Sequence, residues 1–406
     1  MRLTSRIGLA ASLAAAAAVF ALNSAPAFAY TLVPGYTGST FVTGGSLTGP
    51  DPIVINGHDT YLAYQNVTSK TGGDGKSSTV VHYHDTAIVA TYDILGHCDG
   101  LRQNPLDGKL WATVNEDGNP VLYVIDPVGG TTTSYLFSPD PATTHGGGFD
   151  DILFTSDGTA YIAHSAPTHD PNSHPALSRV TLVGTKAKLT TVLMGNAPAK
   201  DIANGSTVTL NLQDPDSLTL DPQGDIVLVD QGDSQVIFVR NPGKGSQAVF
   251  RLSVGTQLDD TIWAAGPGRL FVVDGKANAT YILHTDAGTG TLFTSTPNDS
   301  SVPGIVGTVA VNFPDPTLPG SSPSTLGNVT PVGVGFSKPT GLWWVPDSAV
   351  GPVIAAATPS PSAAPGLPTA GSGAASGGQG AALPILILGA LCALGLAVRT
   401  KRASDI

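Results

Sequence analysis

The sequence predicts an all-β protein, and three observations predict it. Of 406 residues, 49 are Gly and 32 are Pro, a density of punctuation that leaves little room for long helices. Glu116 is the single glutamate, so almost every acid is Asp. Asp favours turns and caps, where Glu favours exposed helix faces. Short strand-forming runs also recur between turn clusters, most plainly in residues 214–239, DPDSLTLDPQGDIVLVDQGDSQVIFV. There Pro222-Gln223-Gly224 and Gln231-Gly232-Asp233 punctuate the runs.

Taken in order, the chain opens on a segment that reads as a secretory signal. Arg2 and Arg6 are followed by an apolar, Ala-rich stretch from Ile7 to Leu22, and Ala27-Phe28-Ala29 fits small-x-small cleavage. Residues 1–29 would then be a leader, with an N-terminal signal helix, and 30–350 the folded ectodomain. In that ectodomain the phrase of 214–239 repeats as an Asp, one residue, an aliphatic run, a turn and two more strands. Asp51-Pro52-Ile53 leads to TYLAYQN and STVVHYH, and Asp99-Gly100-Leu101 to KLWATVNED and PVLYVID. Asp150-Asp151-Ile152 leads to TAYIAHS and LSRVTLV, and Asp216-Ser217-Leu218 to DIVLVDQ and SQVIFVR. Asp260-Thr261-Ile262 leads to RLFVVDG and ATYILHT, and Thr340-Gly341-Leu342 opens a last segment. Successive starts lie 48, 51, 66, 44 and 80 residues apart. A period of about 45–50 residues with some four strands each marks a β-propeller. Six starts predict six blades of four antiparallel strands. The interval 260–340 holds either one blade with a hairpin insertion or nearly two. Residues 30–43 are expected to pair with the C-terminal blade and remove an open sheet edge.

Residues 351–382 are Pro, Ser, Ala and Gly, a composition that reads as an extended linker. LPILILGALCALGLAV follows at 383–398, near the length of a membrane span once Ala381 and Ala382 are added. Residues 399–406 carry Arg399, Lys401 and Arg402, which would stay cytoplasmic beneath a C-terminal transmembrane helix. Leu367-Pro368-Thr369-Ala370-Gly371, the apolar span and the basic end together resemble a bacterial sortase sorting signal, with Ala370 where Thr is usual. Wall attachment and a plain membrane tether both remain open, and either places the folded part on the outer face of the membrane or cell wall.

The stretch 214–239 resembles an NHL repeat. Residues 40–347 more widely resemble the gluconolactonase-like (senescence-marker-protein-like) six-bladed propellers. That resemblance implies a divalent ion held by one Glu, one Asn and one Asp from different blades, with an acidic residue as base. Asn115, Asp216 and Asp230 suit such parts, Asp216 and Asp230 being the catalytic candidates. Asp51 stands where the Glu is expected.

In a propeller the strand starts and the loops after each second strand open on one face. The starts Asp51, Asp99, Asp150, Asp216 and Asp260 would thus ring a channel mouth, beside Gln65, Asn115, Glu116, His164, Asp230 and Asp274 at second-strand ends. Clustered carboxylates raise one another's pKa unless a cation sits among them. Asp51, Asp99, Asn115, Glu116, Asp150, Asp216 and Asp260 are therefore candidate ligands for Ca²⁺ or Zn²⁺, with His97, His145 and His164 as further donors. The plainer reading is that each Asp bonds its own turn and the histidines sit in solvated loops. His82 and His84 alternate on a strand and read as an exposed sheet face.

Removing Arg2, Arg6, Arg399, Lys401, Arg402 and Asp405 leaves 14 Lys+Arg against 29 Asp+Glu, from 19 and 30 in the whole chain. Phosphate recognition needs a basic footprint, so a nucleic-acid partner is excluded. Cys98 and Cys392 stand on opposite sides of the linker, so Cys98 is expected as a lone thiol, either activated or packed in the core. GGDG at 72–75 and GGG at 146–148 read as turns, and no G-x-S-x-G elbow occurs. The expectation is an exported, surface-tethered module that binds a cation and a small molecule, carbohydrate or surface protein. The alternative is a metal-dependent hydrolase of the lactonase type.

Overall fold

The computed structural model describes residues 30–353, apart from 299–302 and 321. The leader 1–29 and everything beyond Val353, including the apolar segment 383–398 and the basic end, lie outside the described residues. Among the described residues no helix is long and apolar enough to cross a membrane.

The strand phrase becomes a four-stranded antiparallel unit. In the first unit Pro50–Asn56, Asp59–Tyr64, Ser77–His84 and Ala87–Leu95 pair in chain order. The second is Cys98–Gln103, Leu110–Val114, Val121–Asp126 and Thr131–Ser138. The third is Ile152–Phe154, Ala160–Ala163, Pro175–Val183 and Lys186–Met194. Leu136 to Ser138 also pair in parallel with Lys186 to Lys188, which joins the second and third units into one eight-stranded sheet. The fourth unit is Pro215–Leu220, Ile226–Asp230, Gln235–Arg240 and Ala248–Ser253, widened by Pro198–Asp201 and Thr207–Thr209. Its turn shows why the phrase folds so. Asp221 Oδ1 accepts from Gln223 N (2.8 Å) and Asp225 N (3.0 Å), and Gly224 takes φ +83°. That closes the hairpin at DPQG.

The expected grouping changes after residue 260. Thr261–Trp263 does not pair with RLFVVDG. It pairs with Leu292–Thr296, followed by Ile305–Val309, Val329–Val334 and the N-terminal Thr31–Leu32. Gly268–Asp274 and Ala279–Thr285 belong instead to a unit whose first strand is Pro339–Pro346 and whose outer strand is Tyr36–Thr43. The interval 260–340 therefore interleaves two units. The four-residue link 264–267, with Gly266 at φ +128° before Pro267, carries the chain across to the neighbour rather than back on itself. The last sheet takes strands from both ends of the described chain, and the N-terminal strand covers its outer edge.

Hydrophobic clusters lie between successive units. Val54, Val80 and Ile94 meet Leu101, Leu110 and Ile125. Trp111 and Leu122 meet Ile152 and Ile162. Leu177 meets Leu218, and Phe238 meets Trp263 and Leu292. Phe293 and Val306 meet Leu270 and Leu342, and Phe271 and Val345 return to Ile53 and Val81 of the first unit. Ile226–Asp230 is buried at every position, because neighbours cover both faces of its sheet, so its residues do not alternate. Each fully buried Phe or Leu contributes about 1.5–3 kcal/mol. The architecture is that of a β-propeller.

The first strand of each unit runs from a polar cavity at its start to a second, mainly apolar cavity at its end, lined by Val54, Leu153, Leu218, Ile262 and Trp343. Arg102 lines both. Its guanidinium donates to Asp151 Oδ2 (2.7 Å) and to Leu218 O (3.2 Å), crossing the channel between them. Val353 N donates to Asp85 Oδ1 (2.7 Å), which His58 also meets at 2.8 Å, at the apolar end.

Candidate metal centre at the channel mouth

The mouth is a polar cavity of about 90 Å³. Of the sequence candidates, Asp51, Asp99, Glu116, Asp150, Asp216, Asp260 and His97 line it. Asp151, Asp214 and Asp259 join them, with Lys70, Arg102 and Lys338 as the cations. Two glutamines organise the acids. Gln65 Nε2 donates to Asp51 Oδ2 (2.8 Å) and Asp99 Oδ1 (3.2 Å). Gln231 Nε2 donates to Asp216 Oδ2 (2.8 Å) and Asp259 Oδ2 (3.4 Å).

The metal-like geometry lies at His97, Asp99 and Glu116. One donor atom from each falls within 4.8 Å of the other two. His97 precedes the strand Cys98–Gln103 and Glu116 follows Leu110–Val114, so one hairpin carries all three. Thr68 fixes the imidazole. Its hydroxyl donates to Gln65 O (2.6 Å), so His97 Nδ1–H donates to Thr68 O (3.0 Å), with Thr68 Oγ1 at 2.8 Å. Nε2 therefore carries a lone pair, and it sits 3.2 Å from Asp99 Oδ1. Two acceptors face each other there. Asp99 Oδ2 is buried with no hydrogen-bond partner, although the Asp99 side chain is only 7% exposed. Either a proton on Asp99 or a cation must resolve this. A separation of 3.2 Å suits two ligands held at about 2.0–2.1 Å from one ion, and the Thr68 anchor is the outer support a ligating histidine uses.

Electrostatics agree with a site in which carboxylates outnumber the three cations. Burial first, then the charges of Glu116 and Asp51, push Asp99 well above the usual carboxylate range. Burial and Asp216 do the same to Asp150, and burial and Asp259 to Asp216. Burial raises Asp51 to about 6 against the pull of Lys338, and burial with Glu116 raises Asp214 to about 6. His97 is held neutral, its pKa lowered to about 4 mainly by burial. Glu116 departs from this pattern. Burial works upward on it, but the charge and hydrogen bond of Lys70 outweigh burial and keep it below the ordinary value.

The other candidates serve the fold. Asp260 touches the cavity wall, but Oδ1 accepts from Thr261 N (2.7 Å) and Oδ2 from Leu342 N (2.7 Å) of the neighbouring unit. Asp151 does the same with Ile152 N (2.7 Å) and Leu218 N (3.0 Å). The mouth-facing counterpart of Asp150 is thus Asp259. The doublets Asp150-Asp151 and Asp259-Asp260 carried that signal in the sequence. Asp230 lies outside the cavity. It is fully buried, raised to about 7 by burial, and its oxygens accept from Asp214 N (2.8 Å) and Gln235 Nε2 (2.6 Å). Asn115 binds His97 N (2.9 Å) and Asn119 O (3.0 Å). His145 and His164 are buried away from the mouth, on Gly148 O (2.9 Å) and Ser178 Oγ (2.8 Å). Gly148 is tied to this site, since its N donates to Glu116 O (2.7 Å) and an added Cβ would lie 1.9 Å from Asn115 O. Cys98 is fully buried and its thiol is pushed well above the ordinary value by burial, so it is a core residue. His82 and His84 bond Asp59 Oδ1 at 3.0 and 2.9 Å.

No family model and no curated protein matches the chain. Solved structures similar to it include a provisionally assigned gluconolactonase, 12% identical with a TM-score of 0.44, covering 79% of this chain and 91% of that one. Virginiamycin B lyase from Staphylococcus aureus is 12% identical with a TM-score of 0.38, covering 68% and 89%. Hydrazine synthase from Kuenenia stuttgartiensis is 15% identical with a TM-score of 0.39; 68% of this chain spans 66% of that one, just under two thirds of its length. None of these is similar enough for activity or site residues to transfer.

Proposed function

We propose that the chain is an exported, surface-tethered propeller of six blades whose acidic channel mouth binds a divalent cation through His97, Asp99 and Glu116. The observation that carries this reading is the pairing of the His97 Nε2 lone pair with Asp99 at 3.2 Å while Asp99 Oδ2 stays buried without a partner. An imidazole with two carboxylates suits Zn²⁺ or a similar transition-series ion better than Ca²⁺, which takes six to eight oxygens. The four-stranded units and the interlocking clusters support the blade count. The leader-like start and the linker, apolar run and basic end support export and tethering.

The test is titration of the full chain, in detergent, with Zn²⁺, Mn²⁺ and Ca²⁺, alongside elemental analysis. One ion per chain is expected. At 100 times Kd it stabilises the fold by about 2.7 kcal/mol, roughly 4 °C in Tm for a fold of this size. Asp99→Asn and His97→Ala should abolish the shift. No ion and no shift in the wild-type chain overturns the reading.

One observation favours a second reading, a hydrolase of the lactonase type. Asp51 and Asp214, both pushed to about 6, line the same cavity, and a carboxylate poised there can take a proton from water near neutral pH. A bound ion would supply polarisation of a carbonyl oxygen. Lactone hydrolysis rising through about pH 6, and lost in Asp214→Asn with ion binding intact, is the expected signature. No turnover of lactones or esters by the ion-loaded chain leaves the binding reading alone.

A further inference from the structure

We propose a second, softer metal site on the flank of the third unit, formed by His169, His174 and Met194 and suited to copper in its cuprous state. It shares no residue with the channel mouth. His169 and His174 lie in the loop that joins Ala160–Ala163 to Pro175–Val183, and Met194 ends the partner strand Lys186–Met194. Pro175 faces Met194 across the ladder, and Gly195 N donates to His174 O at 2.7 Å. That register sets Met194 beside His174. Both line one cavity of about 370 Å³, with His164, Ser173, Ser178 and Thr191 in its wall.

The two imidazoles are close enough to share an ion. His174 Nε2 lies 2.9 Å from His169 Nδ1, with the ring centres 4.6 Å apart. Nitrogens at that separation share one proton. An ion in its place needs them to part by about half an ångström, since two bonds of about 2.0–2.1 Å at a wide angle span roughly 3.4 Å. His169 is exposed and His174 half-buried, so the loop can give that much. His164 and His145 do not compete. His164 Nε2 meets Ser178 Oγ at 2.8 Å, His145 Nε2 meets Gly148 O at 2.9 Å, and the pair meet each other at 3.4 Å, with His164 alone of the two in the cavity wall.

Donor softness selects the metal. Met194 is the one methionine after Met1, and the residue is 37% exposed. A thioether with imidazoles prefers Cu(I), whereas carboxylates such as those of the mouth prefer harder ions.

The experiment is anaerobic Cu(I) competition between the full chain, in detergent, and bathocuproine disulfonate. One Cu(I) per chain is expected. His174→Ala and Met194→Leu should each weaken capture by more than about tenfold, a loss that even outer-shell changes produce. Met194→Leu should leave Ni²⁺ or Zn²⁺ binding at the histidines unchanged, and Glu116→Gln should leave Cu(I) capture unchanged. Met194 is exposed and His174 half-buried, and unchanged melting curves confirm the fold. Failure of the wild-type chain to compete, or full capture retained when His174→Ala and Met194→Leu are combined, overturns the proposal.

Discussion

Replacing Lys70 by Ala should tighten divalent-cation binding at the mouth. Lys70 Nζ contacts the Glu116 carboxylate directly. Burial works to lower its pKa, but the charges of Glu116, Asp99 and Asp150 raise it above the ordinary lysine value. It is the built-in cation of the cluster, and an ion on His97, Asp99 and Glu116 must displace it. Two unit charges about 4 Å apart interact by about 4 kcal/mol at an effective dielectric near 20. The Lys70 side chain is 51% exposed, so solvent screening and side-chain freedom reduce this to about 1–2 kcal/mol. The variant should bind Zn²⁺ some 5–30-fold more tightly, at 1.4 kcal/mol per tenfold, while the ion-free fold loses about 1–2 kcal/mol. Lys70→Arg, which keeps the charge, should behave as the wild type does. Calorimetric titration and ion-free melting of the three chains measure both effects. Equal or weaker binding by Lys70→Ala would refute the argument that Lys70 holds the ion's place.

Asp260→Ala orphans Thr261 N and Leu342 N, at about 1–3 kcal/mol for each buried group, so chemical denaturation should show a loss of about 3 kcal/mol. Asp216→Ala, the same residue type at the equivalent place in the sequence pattern, should cost nothing or stabilise the ion-free chain, because it removes a carboxylate whose pKa burial and Asp259 have raised. The ion-free chain should also melt higher at about pH 5.5 than at about pH 7.5. Asp51 and Asp214 are raised to about 6, and Asp230 and Asp260 to about 7, with burial the first cause in each. The folded state thus holds protons that the unfolded state has lost, and stability falls as pH rises from about 4 to about 7. His97, kept neutral down to about 4 by burial, and His145 and His164, which burial also lowers, oppose this below about 6.5, but these three histidines face the four acids and also Asp99, Asp150 and Asp216, which burial raises well above the ordinary range. Saturating Zn²⁺ should shrink the difference, and a higher ion-free Tm at the upper pH would contradict the assignment.

The repeat phrase was legible because it is local. The Asp-led strand, the DPQG turn and the continuous apolar runs come from neighbouring residues, and each start found in the sequence begins a channel-lining strand. The grouping of 260–340 was not legible. In the pairing of Thr261–Trp263 with Leu292–Thr296 rather than with Gly268–Asp274, Ile262 packs against the cluster that holds Phe336 and Leu342, and Trp263 against that of Phe238 and Leu292, residues distant in the chain. At the mouth the acids could be found from their spacing, but their division into roles could not. Asp260 and Asp216 look alike in sequence. Only the backbone N–H groups that converge on Asp260 mark it as structural. Lys70 and Thr68 lie in the loop after Asp59–Tyr64, where no motif flags them.

The last unit also has a mechanical meaning. Its channel-lining strand, Pro339–Pro346, comes from the C-terminal end of the described chain, and its outer strand, Tyr36–Thr43, from the N-terminal end, with Gly268–Asp274 and Ala279–Thr285 between them. A pull on the residues beyond Pro346 acts along that innermost strand. Its bonds to Gly268–Asp274 are then loaded together in shear, so the ring resists force where the chain leaves it. Val353 N also rests on Asp85, in the turn between Ser77–His84 and Ala87–Leu95 of the first unit, so a force applied at Val353 loads a contact to the neighbouring unit before it reaches that strand.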